Sequence, residues 1–362
     1  MKVLFVAPRY HTNQCGIVKT LIDFGCEVRF DVLKRGESEN YRIISPNIIE
    51  VSFFSKVVNK FFPSNKSNLY YAFPSFIKYY LNLKASKIDV IIIRDPKRYF
   101  SVIAALAAKS LNIKIVFYTQ DTTKSESTSW FKSWQQKLIK SIFDAEWITP
   151  IGGVDTEVKK YLPFVVSSNK KEMIERDNIS DSVRILSIGK YVKRKRLDLL
   201  LQMLITFPLA ELTIIGEESS EEHTRIKKEL ELLSDSLGVS ERVEFISNMS
   251  HADVLNIYSE FDVFILPAEK EPASISVLEA MASGVPVICA DTCGTSSYIK
   301  PGVTGYIFTE NNLDDLLIKY RELENLIKQK GKKDIQISCF RHADLEFSES
   351  AYISRAKNIF LK

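Results

Sequence analysis

Short continuous apolar runs recur along the chain, separated by stretches in which apolar residues return every three or four positions. Runs of the first kind lie at Lys2–Ala7, Val28–Leu33, Asp89–Ile93, Ile113–Tyr118 and Trp147–Thr149, and they are rich in β-branched residues. They read as strands buried on both faces, the pattern of a parallel sheet. Helical spacing fills the intervals, for example at Phe100–Leu111 and Lys132–Phe143. A polar stretch, Ser167–Ser182, interrupts the series. Strands then resume at Val183–Ile188, Leu212–Ile215, Val243–Ile246, Val263–Leu266 and Val287–Cys289. Helices alternate with them at Leu197–Phe207, Ser220–Leu237, Asp253–Glu260 and Ser276–Ser283. The alternation predicts an α/β chain of two doubly wound, Rossmann-like domains, residues 1–166 and 183–346, joined near 164–182. Ligands of such sheets sit beyond the carboxyl ends of the strands, so two facing domains would form a cleft there.

A length of 362 residues agrees with two domains of roughly 150 each. No stretch approaches the roughly 20 apolar residues of a membrane span. Only a short apolar run precedes Pro8-Arg9, too short for a signal peptide. Five cysteines without a C-x-x-C pair read as reduced thiols of a cytosolic chain, and four histidines without H-E-x-x-H give no zinc motif. Charge is uneven. Residues 1–150 hold 22 Lys+Arg and 12 Asp+Glu, a net of +10, whereas residues 151–362 hold 27 and 33, a net of −6. A basic first half points to an anionic partner: a phosphate-bearing substrate, a lipid surface or nucleic acid. No nucleic-acid motif accompanies it. Val51–Leu81 is the most unusual segment, with ten aromatics, four lysines (Lys56, Lys60, Lys66, Lys78) and no acid in 31 residues. It reads either as an element binding anionic membrane or as a pair of core helices bordering an acceptor groove.

Candidate chemistry concentrates in Val263–Ala290. A strand ends at Leu266-Pro267, a loop carries Glu269 and Glu271, and a helix opens near Ser276. Backbone amides of Ser274, Ile275 and Ser276 at that helix start suit a phosphate. Ser276-Val277-Leu278-Glu279 also has the spacing of a capping box, in which Glu279 caps its own helix. The run Glu271-x7-Glu279-Ala280-Met281-Ala282-Ser283-Gly284-Val285-Pro286-Val287 resembles the hallmark of glycosyltransferase family 4, whose members have the two-domain GT-B fold. The resemblance implies that Glu271 meets hydroxyls of a donor sugar and Glu279 the ribose of its nucleotide. A carboxylate can accept both hydrogen bonds of a cis-diol.

A second family mark, G-[RK]-x4-K, is matched by Gly189-Lys190 through Lys195, so that Lys190 and Lys195 would hold the donor diphosphate. Cations belong there because the leaving group gains negative charge as the glycosidic bond breaks. Arg196 stands where glycine is usual in the family, and the bland reading of residues 193–196 is a solvated basic loop. Val243–Leu266 and Gly302–Phe308 resemble further family segments, and Phe347–Phe360 resembles the helix that crosses back to the first domain. The first half matches more loosely. A single Gly16 follows the first strand where the family has a glycine pair near the diphosphate. Gln120-Asp121 stands where many relatives have His-Asp, and Asp121 is the catalytic candidate there, with a loop cap as its plain alternative.

The sequence contains no Asp-x-Asp, the motif by which metal-dependent, single-domain glycosyltransferases hold a metal, so neither metal nor cofactor is expected. The catalytic candidates are therefore Glu271, Lys195 and Asp121. The donor-binding candidates are Lys190, Lys195, Glu271, Ser274, Ile275, Ser276, Glu279 and Gly16. The resemblance implies a retaining glycosyltransferase moving sugar from a nucleotide-sugar donor to a glycan hydroxyl. With the basic first half, it suggests a lipid-diphosphate-linked acceptor in bacterial surface polysaccharide (lipopolysaccharide O-antigen or capsule) synthesis, in the cytoplasm or at the inner membrane face. The competing readings are a catalytically inactive GT-B assembly subunit and a nucleotide-sugar 2-epimerase.

Overall fold

The computed structural model describes residues 1–35, 41–61, 69–120, 130–167 and 182–361. Asp121, Phe62, Lys66 and most of the stretch Ser167–Ser182 lie outside the described residues. The chain divides into two units, each with its own parallel sheet. The first holds the described residues of Met1–Gln120, Thr128–Val165 and Glu349–Lys362, and the second those of Val166–Ser348.

In the first unit the strands are β1 (Lys2–Val6), β2 (Glu27–Val32), β3 (Asn47–Ile48), β4 (Val90–Arg94), β5 (Lys114–Tyr118), β6 (Glu146–Thr149) and β7 (Lys160–Tyr161). They pair in the order β3-β2-β1-β4-β5-β6-β7, every pair parallel. Alternate residues of each strand serve opposite faces. Val3, Phe5, Val90, Ile92, Val116 and Tyr118 enter one core, while Leu4, Val6, Ile91, Ile93, Ile115 and Phe117 enter the other. Helix α1 (Cys15–Asp23) covers the first face, and helices α2 (Phe53–Phe61), α3 (Phe76–Ser86), α4 (Tyr99–Ser110) and α5 (Trp130–Phe143) follow before β6. Helices α3, α4 and α5 bury Tyr79, Leu83, Phe100 and Ala104 on the second face, with Ile139 and Phe143 packed against them.

The second unit has β8 (Val183–Lys190), β9 (Ala210–Glu217), β10 (Val243–Ser247), β11 (Val263–Leu266), β12 (Val287–Ala290) and β13 (Gly305–Phe308) in the order β10-β9-β8-β11-β12-β13. Its helices are α6 (Asp198–Thr206), α7 (Glu221–Ser236), α8 (His251–Ile257), α9 (Ile275–Ala282), α10 (Leu313–Lys330) and α11 (Lys332–Phe347). A last helix, α12 (Glu349–Ile359), belongs to the first unit, where Tyr352, Ala356 and Ile359 join the core beside α1. Both units are doubly wound, and the architecture is that of the GT-B fold. Among the described residues no helix is long and apolar enough to cross a membrane.

The segment Val51–Leu81 is core in part. Tyr79 is buried and donates to Asp31 (3.0 Å), so that face of α3 is core. Phe53 and Phe54 of α2 are each 75% exposed and are not core.

Candidate functional site

The strand order of the second sheet reverses direction between β8 and β11, and the loops leaving their carboxyl ends meet there. This is the switch point at which doubly wound sheets bind ligands. The β8 loop makes a single 3-10 turn over Lys193–Lys195. Lys195 is 7% exposed, so the loop is not a uniformly solvated basic run. Its Nζ lies 2.9 Å from Glu271 Oε2, and Arg194 Nη1 donates to the same oxygen. The backbone locks the two loops together as well: Glu269 N donates to the Arg194 carbonyl at 2.7 Å. Burial alone would raise the Glu271 carboxyl, but the Lys195 and Arg194 charges and their hydrogen bonds outweigh it and hold its pKa below the ordinary value.

Glycine explains how a lysine can be buried here. A Cβ on Gly189 would stand 2.9 Å from Lys195 Cε and 3.3 Å from Nζ, so the side chain passes through the space a side chain on β8 would occupy. The loop's other anchor is Tyr191, fully buried, whose hydroxyl donates to the Ile246 carbonyl (3.0 Å). Its ring lies where a Cβ on Gly216 would be, 2.1 Å from Tyr191 Cε2. Gly189→Ala adds no charge and removes no polar atom, yet it must push Lys195 aside. If Lys195 acts on a bound donor as the resemblance implies, at least a tenfold loss of turnover is expected, since misplacement by about 1 Å can cost about 100-fold in rate. The melting temperature should fall by no more than about 4 °C, because the displaced neighbour is a flexible chain end. Steady-state kinetics and a melting curve on the same sample check both.

Arg196 adopts the left-handed conformation a glycine would take, with φ 49° and ψ 40°. The tight turn therefore survives the substitution. The guanidinium grips Asp198 (2.9 Å and 3.1 Å) and Glu269 (3.2 Å), which helps offset the strain of a non-glycine residue there. Lys190, at the end of β8, is half-exposed and pairs with Glu217 at 2.7 Å. It is not in contact with Glu271.

The capping-box reading of Glu279 is overturned. Helix α9 begins at Ile275 with Ser274 as its N-cap, so Glu279 is a turn inside the helix. Its carboxylate points sideways and is 7% exposed. Oε2 accepts from the buried Tyr258 hydroxyl at 2.9 Å, and Oε1 lies 2.7 Å from His251 Nε2. Tyr258 and His251 were not legible as site residues. Neither stands in a motif that the sequence displays. Ser250 explains why His251 stands there: its Oγ accepts from Asp253 N (3.2 Å) and caps α8, setting His251 at the first helical position. The hydrogen bond to Glu279 raises the His251 pKa against the opposing effect of burial. Its contribution to stability is therefore complete below about pH 6.5 and is lost as pH rises through the raised folded value. Melting temperatures of the wild type and His251→Gln should accordingly differ most near pH 6 and converge as the solution becomes alkaline.

The α9 start has no side-chain cap. Ser274 Oγ instead bonds Ser276 Oγ at 2.7 Å. The helix thus leaves its first amides, among them those of Ile275 and Ser276, and its positive end to a ligand. Glu271, Lys195, Glu279, Ser274, Ile275 and Ser276 are all carried by the second unit around one switch point, with Arg194, His251 and Tyr258 added to them.

Gly16 belongs to the first unit, in α1. A Cβ there would stand 2.2 Å from the Val165 carbonyl oxygen, so close packing of α1 on Val165 already requires glycine. Gln120 ends the described part of the β5 loop. Its Oε1 accepts from Arg94 Nη2 (3.0 Å) and its Nε2 donates to the Tyr118 hydroxyl.

Residues 169–334 match the family model of glycosyl transferases group 1. The sulfoquinovosyl transferase SQD2 of Arabidopsis thaliana is 29% identical over 142 residues, 38% of this chain and 26% of its own length. The lipopolysaccharide glucosyltransferase WaaG of Escherichia coli K12 is 28% identical over 144 residues, 37% of this chain and 36% of its own. The chain thus matches about a quarter to a third of the length of these curated relatives. Over the whole fold, Anabaena Alr3699/HepE in complex with UDP superposes with a TM-score of 0.73 at 15% identity, covering 99% of both chains.

Proposed function

We propose that this protein is a retaining glycosyltransferase that moves a sugar from a nucleotide-sugar donor to a glycan hydroxyl. The carrying observation is the buried Lys195 fixed 2.9 Å from Glu271, beside the uncapped start of α9. Lys195 Nζ and the first amides of α9 face the diphosphate, and the half-exposed Lys190 leaves Glu217 to join them. Glu271, kept ionised by its two cations, accepts hydrogen bonds from the donor sugar. Glu279 accepts from the ribose while Tyr258 and His251 hold its carboxylate in place. In transfer, the bond from the anomeric carbon to the diphosphate oxygen breaks and the acceptor oxygen bonds to the same face of that carbon. The acceptor proton passes to the departing phosphate oxygen, whose new charge Lys195 stabilises. No protein nucleophile is needed. Lysines and helix amides neutralise the diphosphate, so neither metal nor cofactor enters the scheme.

The basic first half of the chain supports an anionic, lipid-diphosphate-linked acceptor, and the match to a lipopolysaccharide glucosyltransferase supports surface-polysaccharide synthesis, met from the cytoplasm at the inner membrane face. Gly16 as a donor-binding residue and Asp121 as a catalytic residue belong to this reading as candidates carried by the family resemblance. Gln120, in place of a proton-shuttling histidine, is the observation that favours the second reading, an inactive assembly subunit.

One assay separates the two. A panel of nucleotide sugars incubated with the protein and EDTA should yield slow release of nucleoside diphosphate from at least one donor. Release that requires added Mg²⁺ or Mn²⁺ would refute the metal-free scheme. Absence of hydrolysis, with nucleotide binding retained, would favour the inactive subunit.

A further inference from the structure

We propose that the outward face of helices α2 to α5 is a docking surface for an anionic lipid bilayer, with the tryptophans of α5 as its anchors. The inference deepens the lipid-linked acceptor reading and rests on it for its purpose. Its physical basis, however, is separate from the donor site.

The stripe on α5 is regular. Trp130, Trp134, Leu138 and Ile142 follow at intervals of four, all exposed, with Trp130 at 80%. Core burial does not account for it, since α5 packs inward through Ile139 and Phe143, one position along from Leu138 and Ile142. Helix α4 continues the surface. Lys97, before α4, bonds Gln135 (3.4 Å), and Lys109, in its last turn, bonds the Ile142 carbonyl, so α4 and α5 lie alongside and parallel. The α4 residues Val102 and Leu106 are exposed between those two ties. On its other side α4 meets α3 through Phe100 and Tyr79, and Tyr99 stacks on Phe73, which follows α2 in the chain.

Charge selects the occupant. Helices α2, α3, α4 and α5 together carry eight lysines and not one aspartate or glutamate. The acids that reach these lysines come from elsewhere: Glu157 to Lys137, Glu146 to Lys140 and Glu50 to Lys78. A second copy of the chain would set like charges against each other across a symmetric contact, which is unfavourable. A bilayer with anionic headgroups matches both features, taking tryptophan and leucine at the acyl boundary and lysine at the phosphates. The sequence pattern pointed to Val51–Leu81 alone, whereas the fold extends the acid-free face over α4 and α5.

Fluorescence reads this surface directly. Of the three tryptophans, Trp130 and Trp134 are exposed on α5 and Trp147 is buried. The full chain is mixed with vesicles of phosphatidylcholine containing about one-third phosphatidylglycerol, or of phosphatidylcholine alone, at ionic strengths below and well above about 0.1 M. The expected result is co-sedimentation and a blue shift of tryptophan emission with the anionic vesicles at low salt, both reversed by high salt. Trp130→Ser with Trp134→Ser should weaken sedimentation at least tenfold, and Lys56→Glu with Lys78→Glu should also weaken it. Both variants should hydrolyse soluble nucleotide sugar like the wild type. Wild type left in the supernatant by anionic vesicles at low salt would overturn the proposal, as would tryptophan variants that bind like wild type. A concentration-dependent dimer in vesicle-free buffer, abolished by the tryptophan changes, would overturn it in favour of a contact between copies. Because hydrolysis of soluble donor is measured on the same samples, failure of the docking surface and failure of the glycosyltransferase reading give different patterns.

Discussion

Lys195→Ala is expected to lower turnover of the donor by a factor of roughly 100 to 1,000, the usual loss when a preorganised group facing the developing charge is removed. The lysine is already buried and its ammonium already held on Glu271, so little reorganisation is expected when the donor arrives. Arginine should not rescue it. The space beside Gly189 is filled by Lys195 Cδ, Cε and Nζ, and a planar guanidinium fork cannot follow that path. The fold should survive, because Arg194 still neutralises Glu271. Kinetics of donor hydrolysis with a parallel melting curve check this. Turnover within threefold of wild type would show that the diphosphate is held elsewhere.

Glu279→Ala should reduce both stability and donor affinity. The Tyr258 hydroxyl is buried and donates to Glu279, so alanine leaves it unsatisfied at a cost of about 1–3 kcal/mol. Loss of a charged acceptor for the ribose should weaken donor binding by a further factor of about 10 to 100. Glu279→Gln separates the effects. Its amide oxygen can still accept from Tyr258, so stability should return most of the way while affinity stays reduced. Chemical denaturation and donor titration of the two variants check the two halves. Equal stability of Glu279→Ala and wild type would mean that the Tyr258 contact carries no weight.

Much of the second unit was legible because buried parallel strands carry continuous apolar runs. Val183, Val263 and Val287 begin their strands as expected. Glu271, Glu279 and Lys195 were candidates through the resemblance of their motifs to those of the family. The partners that give those residues their properties were not. Arg194 looked like one charge in a basic run, and only the docking of its loop on Glu269 turns it toward Glu271. Tyr258 and His251 reach Glu279 across a contact between elements remote in sequence. The capping box misled because Ser276 and Glu279 have the right interval, but the helix starts before Ser276. Arg196 occupies a glycine conformation that its own ion pairs support, which no local rule anticipates. In the first unit, β3 and β7 are two residues each, too short for a period to show.

In the proposed function, the switch point of the second unit holds a nucleotide-sugar diphosphate on Lys195 and the α9 amides, with Glu279 on the ribose. Isothermal titration of the full chain with a set of nucleoside diphosphates, in metal-free buffer, tests it most directly. At least one should bind the wild type and lose tenfold or more in affinity with Lys195→Ala, and likewise with Glu279→Gln. Binding of none of them, or equal binding by wild type and both variants, would contradict the account.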